Sequence, residues 1–404
     1  MAATKGPMQT QWKKLQLIAI AGGLSFLGSS VTTFAVMFRE KEASQSAVLL
    51  AGLALAMAVP NILMAPIAGL LADKYSSTAA SIPALLVMAV SSLSIALIEE
   101  TWWAFVALFV TACAGTVVGA SFQAAQASVT APEDMPRIQG MSNTYVSLGI
   151  LFGPGLGGLL VDQTGYFWPF VLDAATFILL ALAFVASGVN RPGVVHEAGE
   201  KPKAMAGLKF VFGDQLIRAL VILVAVLIVA LGMINVGEIF LVVDVLGASK
   251  LIYGFVGMAF AAGMILGGLL TAAIKVPESR QPALTVAGIA GLVISVTAIG
   301  LAPNWQVVLV ISFVSGACNA ALNAYAMGII LRRSDEDKRG RIMAAIGGVI
   351  TTGSVTSTAL AGFLIENLDV RLVIVGGGIV AGVILLIFGP AVIRAGRVAE
   401  PVEA

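Results

Sequence analysis

Glu238 and Asp173 stand out because so little around them ionises. Glu238 lies in an apolar run, 20 residues beyond Arg218, a rise of roughly 30 Å in a helix. Asp173 lies seven residues beyond Tyr166, about 10 Å along a helix, and Asp244 sits near the far end of the Glu238 run. Ionisable groups within a bilayer are costly, which makes each a functional candidate. A carboxyl group in a partly dry cavity can take a proton from one side and release it when re-exposed, so Glu238 and Asp173 are the proton-coupling candidates. Plainer readings stand beside these: Glu238 reaching to the headgroups, and Asp173 held by hydroxyls or amides of neighbouring helices.

Neutral polar side chains form a second set. The first apolar run carries Ser25, Ser29, Ser30, Thr32 and Thr33 but no carboxylate or basic group. That argues against a fixed ionic substrate clamp there. Gln123 and Gln126 are three apart, and Asn319 and Asn323 four apart, so each pair shares a helix face. With Asn235, Ser29 and Thr33 they are the substrate-cavity candidates, able to hydrogen-bond a large polar-apolar molecule. The same groups equally serve as glue between helices. Other chemistries lack their residues. The one histidine, His196, lies in a polar break, which leaves no catalytic triad and no His-rich metal site in the apolar runs. Glycine runs at 267–268 and 376–378 lack the Lys-Ser/Thr of a phosphate loop. Cys113 and Cys318 lie mid-run and read as inert thiols. Neither enzymatic activity nor a cofactor is expected.

The elements that must position these residues are membrane helices. Of the 404 residues 59% are apolar and 11% charged, with mean hydropathy +0.99, whereas soluble domains run to about 25% charged. A net charge of +1 excludes a global basic field for nucleic acid. Runs long enough to cross a bilayer are expected at 15–38, 47–72, 79–98, 102–130, 139–162, 167–189, 216–243, 250–274, 281–302, 304–332, 340–365 and 371–394. The first run continues into a full span, so no cleavable signal peptide is expected. The polar stretch 190–215, with Pro192, Pro202 and several charges, reads as a linker between halves 1–189 and 216–394, followed by a tail at 395–404. With both termini cytoplasmic, 19 of the 23 basic residues fall inside and only Arg39, Lys41, Lys250 and Arg371 outside. That is a strong positive-inside bias.

In the fifth run Gly149, Gly153 and Gly157 recur every fourth position, sharing one face without side-chain bulk. A neighbouring helix can approach that face backbone to backbone, and Pro154 removes an amide donor and bends the helix there. Gly158 ends the stretch. The halves also echo each other. Asp162 after Gly158-Leu159-Leu160-Val161 matches Glu366 after Gly362-Phe363-Leu364-Ile365 at an offset of 204, and Glu133-Asp134 matches Glu336-Asp337 at 203. An offset of half the chain is the mark of a six-plus-six duplication.

Three stretches resemble the major facilitator superfamily, and within it bacterial macrolide and enterobactin-type siderophore exporters. Gly69-Leu70-Leu71-Ala72-Asp73-Lys74 resembles the cytoplasmic loop signature between helices two and three. Gly149 to Gly158 is similar to the antiporter motif of the fifth helix. Ser121 to Asn143, with Ala131-Pro132-Glu133-Asp134, resembles the joint between helices four and five. The resemblance implies an all-α integral membrane protein, twelve transmembrane helices in two pseudo-symmetric six-helix bundles. It also implies alternating access, with gating carried by Gly69, Asp73, Lys74, Gly149, Gly153, Pro154, Gly157 and Gly158. Because the seventh helix lines the cavity in such proteins, Glu238 is preferred over Asp173 as proton carrier. One departure is plain: Tyr75-Ser76-Ser77 stand where the loop signature has a glycine and basic residues, and Lys275 to Arg280 lacks the aspartate. The expected function is export of amphipathic small molecules, drugs or siderophores, by proton antiport. The alternative is a facilitator or importer of a nutrient or lipid, and a receptor or scaffold fits poorly with such short loops. The expected setting is a monomer in the inner cell membrane, with protons, a small-molecule substrate and the lipid bilayer as partners, and no nucleic acid.

Overall fold

The computed structural model describes residues 10–192, 215–274, 276–333 and 339–398. Most of the expected linker, His196 and the Glu336-Asp337 pair lie outside the described residues, where every regular element is helical. Among the described residues twelve helices are long and apolar enough to cross a membrane. They are α1 (Trp12–Ser44), α2 (Ala47–Lys74), α3 (Ser77–Leu97), α4 (Thr101–Ser128), α5 (Met135–Thr164), α6 (Phe167–Ser187), α7 (Leu216–Val245), α8 (Lys250–Ala273), α9 (Gln281–Gly300), α10 (Trp305–Arg333), α11 (Arg339–Asn367) and α12 (Val370–Val398). Large apolar side chains lie bare on their outer faces, Leu97 at 68%, Leu182 at 61% and Leu386 at 78% exposure. Water would not tolerate so much apolar surface; lipid does. The chain is a multi-pass membrane protein.

Two compact units emerge, Met1–Gln45 with Gly52–Gly199, and Ser46–Ala51 with Glu200–Ala404. In the first unit α1 packs along α5 and α6, and α3 along α4 and α6. In the second, α7 packs along α11 and α12, and α9 along α10 and α12. Adding six to every helix number of the first set yields the second. Helix starts repeat as well: Ser46 Oγ accepts from Leu49 N at 3.2 Å and Ser249 Oγ from Ile252 N at 3.3 Å, each satisfying an amide that a helix start leaves bare.

The first unit's core follows from α6, where Phe170, Phe177 and Phe184 recur every seventh residue on one face and are at most 1% exposed. Phe177 and Phe184 meet Ile18 of α1, Leu85 of α3 and Val118 of α4. At one end of the unit Thr10 Oγ1 donates to Asp134 Oδ2 at 2.5 Å and accepts from Ala131 N at 3.0 Å. The Arg137 guanidinium lies over the Trp12 ring at 4.4 Å, and together these contacts tie the α4–α5 joint to the start of α1.

The other end of α1 corrects the reading of the first span as free of charged groups. The helix does not stop at 38 but runs to Ser44, carrying Arg39 and Glu40 inside. Glu40 is 1% exposed and accepts two hydrogen bonds from Arg39, at 3.0 and 2.8 Å. Arg39 Nη1 donates to Ile95 O at 2.6 Å and Thr101 Oγ1 to Glu40 Oε2 at 2.5 Å. A buried pair so fully hydrogen-bonded satisfies its own charge, and hydropathy alone cannot see that.

In the second unit the seventh span is not one helix. The span Leu216–Val245 is built from a helix Gln215–Leu231, a short helix Ile234–Ile239 and a π-helical turn Phe240–Val245. The break falls at Gly232, where an added Cβ would stand 2.5 Å from Ser357 Oγ of α11. That hydroxyl donates to Val229 O at 2.9 Å, supplying a partner to a carbonyl at the interruption. Breaks of this kind are tolerated in membranes only where neighbours re-satisfy the backbone. Glu366, at the end of α11, accepts from Ala47 N at 2.7 Å and Ser46 Oγ at 3.1 Å within the same unit.

Candidate transport site

The glycine face of α5 lies against α1. A Cβ added at Gly153 would stand 2.1 Å from Ser30 Oγ and 2.4 Å from Ser30 Cβ. At Gly149 it would meet Phe26 Cδ1 at 2.8 Å and Leu27 N at 3.2 Å, and at Gly157 Phe34 Cβ at 2.9 Å. Four-residue spacing therefore places three glycines, one per turn, under Phe26–Leu27, Ser30 and Phe34 of a single facing helix. Gly23 extends the seam from the α1 side, its Cβ position 2.5 Å from Tyr145 Cβ. Pro154 lies inside the helix and Gly158 is buried beside Gly157. Close packing of this kind stands in for the hydrophobic drive that lipid removes.

Asp173 sits where α1, α3 and α6 meet, 1% exposed. Ser29 Oγ donates to Oδ1 at 3.2 Å and Ser92 Oγ to Oδ2 at 3.1 Å. Thr32 Oγ1 lies beside it, donating to Pro169 O at 3.5 Å. Gly28 makes room: a Cβ there would approach Asp173 Oδ1 to 3.0 Å and Thr176 Oγ1 to 2.5 Å. Ser29 is thus engaged by a carboxylate of its own unit, and Thr33 donates to Ser29 O at 2.8 Å. Ser92 was missed from the sequence because nothing local to α3 marks it; its role exists only once α6 is placed.

The amides divide. Gln126 is 1% exposed and donates to Ser142 Oγ at 2.8 Å, tying α4 to α5, while Gln123 is exposed. Three residues apart, they share a face loosely, but the roughly 60° between them in projection is enough to bury one and leave the other open. In the second unit Asn323 Nδ2 donates to both Asn319 O and Oδ1, at 2.8 and 2.9 Å, and Asn235 is exposed one turn before the half-buried Glu238. The phenol of Tyr253 in α8 lies within electrostatic reach of Glu238. Tyr253, like Ser92, carried no mark in the sequence.

The loop after α2 is anchored by a residue from elsewhere. Asp73 Oδ1 accepts from Arg191 Nη1 at 3.3 Å, and Ser77 N donates to Arg191 O at 3.0 Å. Arg191, just past α6, supplies a cation where the loop itself has Tyr75-Ser76-Ser77. Lys74 lies over the Tyr75 ring at 5.4 Å, and the Cβ position of Gly69 is open, with nothing within 4 Å. Between α5 and α6, Tyr166 donates to Glu42 Oε2 at 2.5 Å; burial, together with that carboxylate, pushes the phenol well above its ordinary pKa.

Comparison with known proteins meets this geometry. The chain is 22% identical over 373 residues to the "Uncharacterized MFS-type transporter YfiS" of Bacillus subtilis, covering 86% of this chain and 84% of that one. It is 24% identical over 250 residues to the "Multidrug efflux pump Tap" of Mycobacterium tuberculosis, 60% of this chain and 58% of the pump. To the "Enterobactin exporter EntS" of Escherichia coli it is 25% identical over 268 residues, 66% of this chain and 62% of the exporter. Among solved structures, a peptide transporter, POT, superposes with a TM-score of 0.77 at 14% identity, covering 98% of each chain; this likeness is one of fold alone. The Major Facilitator Superfamily model matches residues 18–285 and 239–403, and a chain so matched over nearly its whole length belongs to the Major Facilitator Superfamily.

Proposed function

We propose that this transporter exports amphipathic small molecules, drugs or siderophores, by proton antiport with alternating access, from an inner cell membrane with both termini in the cytoplasm. The observation that carries the reading is the glycine seam between α1 and α5, built as the antiporter motif of proton-coupled exporters is expected to be. The relatives named as a multidrug pump and an enterobactin exporter support the same direction. Glu238 is the proton carrier in this reading. It is half-buried beside the interruption of α7, and a discontinuous membrane helix is where transporters place coupling and substrate groups. Asp173, enclosed by its own unit's hydroxyls, holds α1, α3 and α6 in register. Asn235, Asn319, Asn323 and Gln123 contribute polar contacts to the substrate.

The test is transport by the purified protein in proteoliposomes, across a panel of dyes, macrolides and iron chelators, with an imposed pH gradient. Uphill movement of at least one amphipathic compound, collapsing when a protonophore is added, is expected. Movement that only equilibrates the compound, indifferent to the gradient, would identify a facilitator and overturn the antiport reading.

A further inference from the structure

A cavity of about 290 Å³ opens in the second unit where α8, α9 and α10 diverge. Its origin is legible in the packing. Along their middle turns α8 and α10 touch backbone to backbone: a Cβ at Gly263 would stand 1.9 Å from Phe313 O, and one at Gly316 2.0 Å from Phe260 O. One turn later Gly268 has nothing within 4 Å, and the atoms nearest the Cβ position of Gly328 belong to Arg332 and Gln281, Arg332 Nη1 being nearest at 3.3 Å. A wedge-shaped gap results, lined by Gly268, Thr271, Gln281, Tyr325, Gly328 and Arg332.

The lining chemistry is specific. Arg332 is held by Glu278, Nε to Oε1 at 3.3 Å, and by Gln281 Oε1. Among the described residues those contacts use two of its five guanidinium N–H donors, and they hold the fork in one orientation. Thr271 donates to Gly267 O at 2.7 Å, so its oxygen keeps lone pairs for a hydroxyl of a guest. Beside the polar lining stand bare apolar side chains, Leu269 at 64%, Leu270 at 50% and Ile274 at 59% exposure.

The geometry points to a site for the phosphate headgroup of an acidic membrane lipid, with Arg332 on the phosphate, Tyr325 and Thr271 on the glycerol or headgroup hydroxyls, and the acyl chains along Leu269, Leu270 and Ile274. Drug-sized ligands occupy roughly 300–1,000 Å³, so at about 290 Å³ the gap suits a headgroup as readily as a small drug, and the bare apolar side chains beside it favour a lipid. Charge selects the lipid class: Arg332 is the one charged residue among those lining the cavity, and an arginine fork matches a phosphate's oxygens, which acidic lipids carry on a negative headgroup. The site lies wholly within one unit and stands whatever the chain transports.

Purified protein would be delipidated in detergent, offered phosphatidylglycerol or phosphatidylcholine, and the bound lipid counted by native mass spectrometry. Wild type is expected to retain phosphatidylglycerol selectively. Arg332→Gln should lower that retention roughly tenfold or more, as loss of a charge-assisted hydrogen bond implies, with Arg332→Lys intermediate. Gly328→Leu, which changes no charge but fills the cavity, should lose it too, while Arg394→Gln, removing an exposed charge outside the cavity, should not. Equal retention by all four variants would refute the site. Competition by glycerol phosphate or inorganic phosphate at millimolar concentration, as strong as by the lipid, would refute the lipid as occupant.

Discussion

Gly153→Ala adds a single methyl group, and the structure says where it goes. Its carbon would lie 2.1 Å from Ser30 Oγ and 2.4 Å from Ser30 Cβ, where ordinary contact begins at 3.4 Å. Rotating Ser30 can move Oγ aside but leaves its Cβ in place, so α1 and α5 must part by about an ångström, an overpacking that costs roughly 1–3 kcal/mol. The same exchange at Gly119 or Gly140, with nothing within 4 Å, meets no clash and gains up to about 1 kcal/mol of helix propensity. The sign of the effect therefore reverses between chemically identical substitutions. Second-site changes sharpen the test: Ser30→Gly should relieve Gly153→Ala, whereas Ser30→Ala, which keeps the offending carbon, should not. Thermal unfolding of the purified variants reads stability, and gradient-driven efflux in proteoliposomes reads function. Gly153→Leu should abolish efflux while still inserting. Wild-type efflux and melting in Gly153→Ala, or equal rescue by Ser30→Ala, would refute the seam as a site of close contact.

Other outcomes follow from the same contacts. Glu238→Gln should abolish gradient-driven efflux yet keep substrate exchange at equal pH; efflux at the wild-type rate would exclude Glu238 as the carrier. Asp173→Leu leaves Ser29 Oγ without its acceptor, costing about 1–3 kcal/mol for a group left unsatisfied, while Ser92 Oγ keeps Phe170 O at 3.0 Å, so its melting temperature should fall below that of Asp173→Asn. Arg39→Leu leaves Glu40 charged and buried, a loss on the order of 3–5 kcal/mol, and the double variant Arg39→Leu with Glu40→Leu should recover most of it. A melting curve unmoved by Arg39→Leu would show the pair to be idle.

Twelve spans, a doubled architecture and the glycine face of α5 were legible in the residues alone. Each depends on quantities that are local in the chain: hydropathy over some twenty positions, charge at the breaks, and a spacing of four. Lipid enforces these, because it admits only internally bonded backbone and expels charge. What α5 faces was not local. Only the packed unit puts Ser30 and Phe34 of α1 against those glycines, and only there do Ser29 and Ser92, from two helices, converge on Asp173. Gln123 and Gln126 make the point most simply. Their spacing paired them, yet one ties α4 to α5 and the other stays open, because the neighbour that chooses between them is more than a dozen residues away along the chain. The same holds for Arg39 and Glu40, which read as an exposed break and became an interior pair once Ile95, Thr101 and Phe170 were gathered around them. Polarity along a chain states what each residue would cost to bury; only tertiary structure supplies the partners that settle whether it is buried.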